Sequence, residues 1–419
     1  MKTKQIAIIG GGPAGCTLAT LLHRQGHKVA IFNDSKKTDL FVGESLIPAI
    51  IPVLQELGIE EKVKEFSVYK PGATVWVKEG LYAEASFGGG MGTLPSYAYN
   101  TNRKKFDELL LQTAVDEGVQ LFEFKAGVVA TGDKISLEDT TLDQCNGFFD
   151  DQPDFIVDAS GRRRVISNLL KLPSTKGKRM DTALFTHVEE REFKENYGDI
   201  HMHLATRGWC WRIPLPGKTS VGIVINKDTL DTFGKTSEEQ FDNYIAQDPK
   251  IKFFFEGVKR TSGIQKYSNY QMQSNRIVGE NWALVGDAAG FLDPVFSSGL
   301  YFSTKYASEL AKAIDENSST TLKSFQKEWQ KELNSWKEMI DLWYNGRLFT
   351  NFLMGNDRLH TFMGKRIGKH AIKHFTAIFT GEAVKNRYSM WLLKFMTGPL
   401  LNFMYFFRMH RYKVKDLEL

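Results

Sequence analysis

Gly10-Gly11-Gly12-Pro13-Ala14-Gly15 is the first run along the chain whose residue types and spacing could do chemistry. Glycines at Gly10, Gly12 and Gly15 let a backbone turn tightly and approach a pyrophosphate, whose charge is favoured at the N-terminus of the following helix. A helix opening at Ser297, Ser298 and Gly299 would likewise present unpaired amides and a positive dipole end to an anion, although serine is also an ordinary helix cap. Trp209 and Trp211, one residue apart, point to one face if they lie on a strand, either as a packed aromatic pair or as the lining of a passage. His201 and His203 share a face in the same way, as structural residues or with one as a base. His370 and His374, four apart without an intervening glutamate or a third ligand, read as surface residues rather than a metal site.

The elements that would position these residues follow from the hydrophobic pattern. Residues 4–9 and 28–32 read as short apolar strands and 14–24 as the helix between them, so the opening is a parallel crossover unit. Asn33 stands where an acid is expected at the end of the second strand, with Asp34 next, and either can accept a ribose hydroxyl; register favours Asn33. No second fingerprint occurs: Gly88, Gly89, Gly90 and Gly92 follow no fitting strand and read as a flexible loop. Helical patterns cover 50–66 and 103–117, strands 73–78, 81–87, 120–124 and 155–158, and an alternating β-like stretch spans 180–226. A strand at 282–285 leads to a helix at 299–314, then a polar break at 317–321 and a helix-rich remainder. Residues 391–407 are apolar but interrupted by Lys394, Gly398, Pro399 and Asn402, which predicts a buried or interface-lying hairpin rather than a membrane span.

Composition bounds the rest. A chain of 419 residues with 42% hydrophobic and 12% aromatic content has room for two or three domains and is neither disordered nor collagen-like. Its three cysteines, Cys16, Cys145 and Cys210, form no CxxC pair, which excludes a redox-disulfide reductase and points to a reduced, cytoplasmic setting; no export signal is read at the N-terminus. Residues 345–419 carry 13 Lys and Arg against 4 Asp and Glu, a net of +9, in a chain whose total is +5. Such a field suits an acidic partner, an anionic membrane surface or a phosphorylated substrate, or is a solvated helical face.

Three segments carry a family resemblance. Arg103-Lys104-Lys105-Phe106-Asp107 resembles the RxxFD segment of flavoprotein hydroxylases, halogenases and geranylgeranyl reductases. Asp158-Ala159-Ser160-Gly161-Arg162 resembles their mid-chain turn, and Gly286-Asp287-Ala288-Ala289-Gly290 their late GD motif. Three more runs are similar to flavin-dependent halogenases in particular: Val42-Gly43-Glu44-Ser45-Leu46-Ile47-Pro48, Trp209-Cys210-Trp211-Arg212-Ile213-Pro214 and Asp293-Pro294-Val295-Phe296-Ser297-Ser298-Gly299. They match that family's GES/GEA-x-IP, WxWxIP and DPxFSSG motifs, and the resemblance covers about residues 1–315.

The resemblance implies an α/β fold. Residues 1–75, 101–175 and 275–315 would form a Rossmann-like FAD-binding domain, 76–100 and 176–274 an inserted β-sheet substrate domain, and 316–419 a helical basic region. It implies FAD held by Gly10, Gly12, Pro13, Ala14, Gly15, Asn33, Asp34, Glu44, Ser45, Arg103, Asp287 and Gly290, with Asp287 on the ribityl chain and no metal. Ser297, Ser298 and Gly299 would face a halide or the flavin ring, and Trp209 and Trp211 the route from flavin to substrate. Lys70, about 25 residues after the GESLIP run, stands where phenol- and pyrrole-type members carry a catalytic lysine. Its ammonium could hold hypohalous acid, or its amine form a chloramine. The implied activity is halogenation of an electron-rich phenol or pyrrole, free or tethered to an acyl or peptidyl carrier protein, with reduced FAD, O2 and chloride or bromide. A single dinucleotide fold implies a separate flavin reductase. The alternatives are a FAD-dependent hydroxylase, a geranylgeranyl-reductase-like enzyme, or a non-enzymatic flavoprotein docking a lipid or carrier. Peripheral membrane contact stays open; nucleic acid is not an expected partner.

Overall fold

Gln5–Ile9 forms the centre of a five-stranded parallel sheet because its apolar run is buried on both faces, as parallel sheets require. In this computed structural model, which describes residues 3–34, 42–177, 179–190, 197–257, 259–268, 271–316, 318–346, 348 and 362–398, the strand pairs with Lys28–Phe32 on one side and Phe155–Asp158 on the other. Gln120–Phe122 and Trp282–Leu284 close the two edges. Helix Pro13–Arg24 makes the first crossover and packs against helix Ser298–Asp315. The carboxyl ends of four of the five strands deliver motif residues to one rim: Gly10 after Ile9, Asn33 after Phe32, Ala159 after Asp158 and Gly286 just beyond Leu284. That rim is where open α/β sheets bind ligands.

The alternating stretch folds as a seven-stranded sheet in the order Gln265–Ser268, Asp181–Glu189, Lys218–Asn226, Gly208–Leu215, Ile200–Ala205, Gly72–Lys78, Leu81–Ser86. All neighbours are antiparallel except Ile200–Ala205 beside Gly72–Lys78. One face carries Phe185, Trp209, Trp211 and Ile213 into the large apolar core shared with the parallel sheet. The other carries Leu184, Cys210 and Ile223 against Phe254 and Phe255 in a second, smaller core.

Several expected boundaries move for local reasons. The helix expected over 50–66 breaks at Gly58, whose φ of +73° ends Ile51–Leu57 before Glu60–Glu65 begins. The polar break expected at 317–321 is shorter, because the Ser318 hydroxyl caps a 26-residue helix, Ser319–Tyr344, by accepting from the Thr320 amide. The glycine loop expected to be flexible is pinned: Glu382 accepts from the amides of Met91 and Thr93 at 2.9 and 2.7 Å. Of the 391–407 segment, helix Arg387–Met396 covers the beginning, and residues from 399 onward lie outside the described residues. His374 is buried rather than on the surface, its Nδ1 2.7 Å from the Ser389 hydroxyl, and so ties two C-terminal helices together.

Candidate active site

The glycine turn is built for close approach. Gly10 has a φ of +116°, and a Cβ there would lie 2.4 Å from the Ala159 carbonyl oxygen; one on Gly15 would lie 1.9 Å from that of Gly10. Gly12, by contrast, has open space above it, so the helix N-terminus is clear for an anion. Asn33 braces this turn, its Oδ1 accepting from the Gly11 amide at 3.3 Å. Asp34 faces outward to Arg163 at 2.9 Å.

From the turn a cavity of about 530 Å³ runs to the seven-stranded sheet. Gly12, Pro13, Ala14, Glu44, Ser45, Arg103, Asp287, Ser297 and Gly299 line it, and so do Trp209 and Trp211 at the far side. Lys70, Gly10, Gly15, Asn33, Asp34, Gly290 and Ser298 stand off its wall. Arg103 grips Asp107 with both arms of its fork, at 3.0 and 3.1 Å, and also donates to the Val42 carbonyl. Removal from water among these walls pushes the Asp287 carboxyl up to about 6, against the pull of Arg103 and Arg162. Ser297 has a left-handed backbone, φ +54°, and makes no side-chain cap, which leaves the first amides of helix Ser298–Asp315 facing the cavity end.

Trp211 lies over Gly222, its cross-strand partner, where any Cβ would meet the indole at 2.3 Å. The indole N–H donates to Ser220 at 3.3 Å, and Trp209 donates to Tyr344 at 3.0 Å. His201 and His203 belong to the opposite face of the sheet. His201 Nδ1 accepts from Trp76, while His203 packs on Phe253 and Phe254, and burial lowers it to about 4. No group of three metal-binding side chains occurs among the described residues.

Lys70 is 2% exposed. Its Nζ donates to the Ser45 hydroxyl and the Leu46 carbonyl, both at 2.8 Å, and lies 5.3 Å from the centre of the Phe87 ring. Burial lowers this lysine to about 7, with Asp199 opposing the shift. Sequence reasoning missed several neighbours. His187 Nε2 is 2.7 Å from Glu44, Arg164 lines the cavity while donating to Ser274 at 2.6 Å, and Tyr344, at the end of helix Ser319–Tyr344, donates to Asp293 at 3.0 Å. Of these only Arg164 has a signal, its place just beyond the Asp158–Arg162 motif; the others come from segments with no motif.

The residues present fit a bound dinucleotide. Gly12 leaves room at a helix N-terminus, and Asp287, its carboxyl raised by burial, offers an acceptor partway along the cavity. Beyond that point the walls turn aromatic, with Phe185, Trp209, Trp211 and Tyr267.

Comparison with known proteins agrees. The chain matches the sequence model described as tryptophan halogenase over residues 5–95 and 91–352. It is 28% identical over 391 residues to the 1H-pyrrole-2-carbonyl-(peptidyl-carrier protein) chlorinase of Pseudomonas fluorescens, covering 83% of this chain and 85% of that one. Among solved structures it resembles a flavoprotein/dehydrogenase from Cytophaga hutchinsonii, with a TM-score of 0.77 and 24% identity over 94% of this chain and 99% of that one. It also resembles the flavin-dependent brominase Bmp2, with a TM-score of 0.72 and 21% identity over 91% and 98%. These two likenesses concern the fold, whereas the family match spans the glycine turn, the tryptophan strand and the Ser297 loop. The chain belongs to the tryptophan halogenase family, a family of flavin-dependent oxidoreductases.

Proposed function

We propose that this protein halogenates an electron-rich aromatic ring, a pyrrole or a phenol, using FAD, O2 and chloride or bromide. The carrying observation is the one cavity that Gly12, Arg103, Asp287, Ser45, Trp209 and Trp211 share, with Lys70 directly behind Ser45. Bound FAD, once reduced, supplies the activation of O2 that oxidises halide. The Gly10–Gly15 turn and Asn33 hold its adenosine end, Arg103 and Asp287 its ribityl chain, and the amides after Ser297 receive the anionic edge of its ring or the halide. Trp209 and Trp211 exclude the organic substrate from the ring while leaving a passage for a small oxidised halogen. Lys70, directly behind Ser45 in the wall of that passage, holds the oxidised halogen species there through its positive charge.

The relative from Pseudomonas fluorescens is named for a pyrrole carried on a peptidyl carrier protein. Together with the net charge of +9 over residues 345–419, this supports a substrate delivered by an acidic carrier. A separate flavin reductase supplies the electrons, since one dinucleotide turn is present in the sequence. The test is to supply enzyme with FAD, a flavin reductase, O2 and bromide together with simple pyrroles and phenols, and to look for added bromine by mass spectrometry. Bromination that requires enzyme, FAD and O2 supports the reading; ring hydroxylation alone, at any halide concentration, overturns it.

A further inference from the structure

Lys70 does not face the cavity; Ser45 does. Three segments far apart in sequence make this arrangement. Residues 44–46 run beside Ala98–Thr101, with the Thr101 amide on the Glu44 carbonyl at 2.7 Å and the Leu46 amide on the Tyr99 carbonyl at 2.9 Å. Ala98–Thr101 in turn pairs with Ser67–Lys70, so that Asn100 lies opposite both Ser45 and Val68. Asn100 is fully buried, and its Nδ2 donates to the Gly198 carbonyl at 2.8 Å, which turns its Oδ1 toward Ser45. The Ser45 hydroxyl donates to that Oδ1 at 2.8 Å. With its one hydrogen committed to Asn100, Ser45 Oγ keeps two lone pairs: one accepts from Lys70, and the other is free for the cavity.

We propose that the Ser45 hydroxyl is the group through which Lys70 acts on the cavity, receiving the O–H of hypohalous acid there, and that Asn100 is the positioning residue that fixes its direction. The oxygen of HO–X is then anchored one hydrogen bond from the Lys70 ammonium, with the halogen pointing outward. As the aromatic carbon attacks the halogen, the C–X bond forms and the X–O bond breaks. The electron pair goes to oxygen, which takes the displaced ring proton and leaves as water. Ser45 meets that oxygen only as an acceptor, its one hydrogen being on Asn100, so the charge developing there is favoured by the field of the Lys70 ammonium directly behind the hydroxyl. This chemistry rests on the halogenase reading above; the coupling of Lys70, Ser45 and Asn100 does not.

The experiment therefore has two readouts on the full-length protein. The first is trace acetylation of Lys70 with isotopic acetic anhydride across pH 5–9, read from the mass of its peptide. It needs no turnover. Ser45→Ala removes an acceptor from the charged amine and should lower the labelling midpoint by about one pH unit. Asn100→Asp adds negative charge behind the same hydroxyl and should raise it. Asp199, held by Thr74 at 2.8 Å, and Glu84 beyond it are unchanged in both variants, so the shifts report the Ser45–Asn100 side of the amine. The second readout is bromination of phenol or pyrrole with bromide: Ser45→Ala should lose on the order of 10²-fold in kcat with KM unchanged, and Ser45→Thr should restore most of it. Midpoints that stay put in both variants, or Ser45→Ala turnover within about twofold of wild type, well short of that range, overturn the proposal. Shifted midpoints in a protein that brominates neither probe, nor a pyrrole tethered to a carrier protein, overturn the halogenase reading, and with it the halogen-handling half of this inference.

Discussion

The indole N–H of Trp209 donates to the hydroxyl of Tyr344 at 3.0 Å, although the two residues are 135 positions apart. Tyr344 passes the interaction on to Asp293 Oδ2, again at 3.0 Å, and Arg179 lies 3.8 Å over its ring. Asp293 opens the loop that carries Ser297, with Oδ1 accepting from the Val295 amide at 3.0 Å. Helix Ser319–Tyr344 thus braces the tryptophan wall and the Ser297 loop of the cavity through one buried phenol.

Tyr344→Phe should leave the Trp209 N–H buried without an acceptor, which costs about 1–3 kcal/mol. Denaturant unfolding should show a lower midpoint at an unchanged slope. Trp209→Ala opens the passage itself, and mass spectrometry of its products should show ring hydroxylation beside halogenation. A Trp209→Ala enzyme that yields halogenated product alone contradicts the excluding role of the indole.

Asp293 gives a pH dependence with a definite sign. Burial, with Asp181 adding to it, raises its carboxyl from 3.8 to about 7, against hydrogen bonds from Val295, Tyr344 and Gln271. A carboxyl raised in the folded state contributes stability that is full below its unfolded value and is lost as pH rises through about 7. Asp293→Asn carries no charge at any of these pH values. Its Tm relative to wild type should therefore climb between pH 5 and pH 8; a gap that does not change with pH contradicts the assignment.

Asp287→Ala should weaken FAD binding roughly 10- to 100-fold, the range expected for losing one hydrogen bond to a carboxylate, as read by calorimetric titration. Gly10→Ala should abolish it, because the new Cβ would meet the Ala159 carbonyl at 2.4 Å on a backbone at φ +116°. Undiminished FAD affinity in both variants would remove the dinucleotide from this cavity.

What was legible in the sequence is what is local. The glycine turn announces itself because turn, helix and flanking strands are contiguous, and Trp209 and Trp211 share a face by strand geometry alone. The burial of Lys70 was not legible, since it depends on segments near Ser45, Lys70 and Asn100 meeting edge to edge. Tyr344 lay beyond the motifs and reads as one more aromatic of an amphipathic helix. The glycines at Gly88–Gly92 carry no sign that Glu382, nearly 300 residues on, will hold them: the separation to Met91 is 291. Helix limits moved for the same reason that caps and left-handed glycines are single-residue decisions.

The central claim is that Lys70, behind the cavity that Arg103, Asp287 and the two tryptophans define, handles the oxidised halogen. Lys70→Ala tests it most directly, in an assay of bromide, O2, FAD and a flavin reductase with a pyrrole or phenol that wild type brominates. FAD affinity and the rate of flavin reduction should match wild type, because neither uses the Lys70 amine, while brominated product should fall by about 10²- to 10⁴-fold. Bromination by Lys70→Ala within about threefold of wild type, well short of that range, would contradict the account and leave the halogen chemistry without its residue.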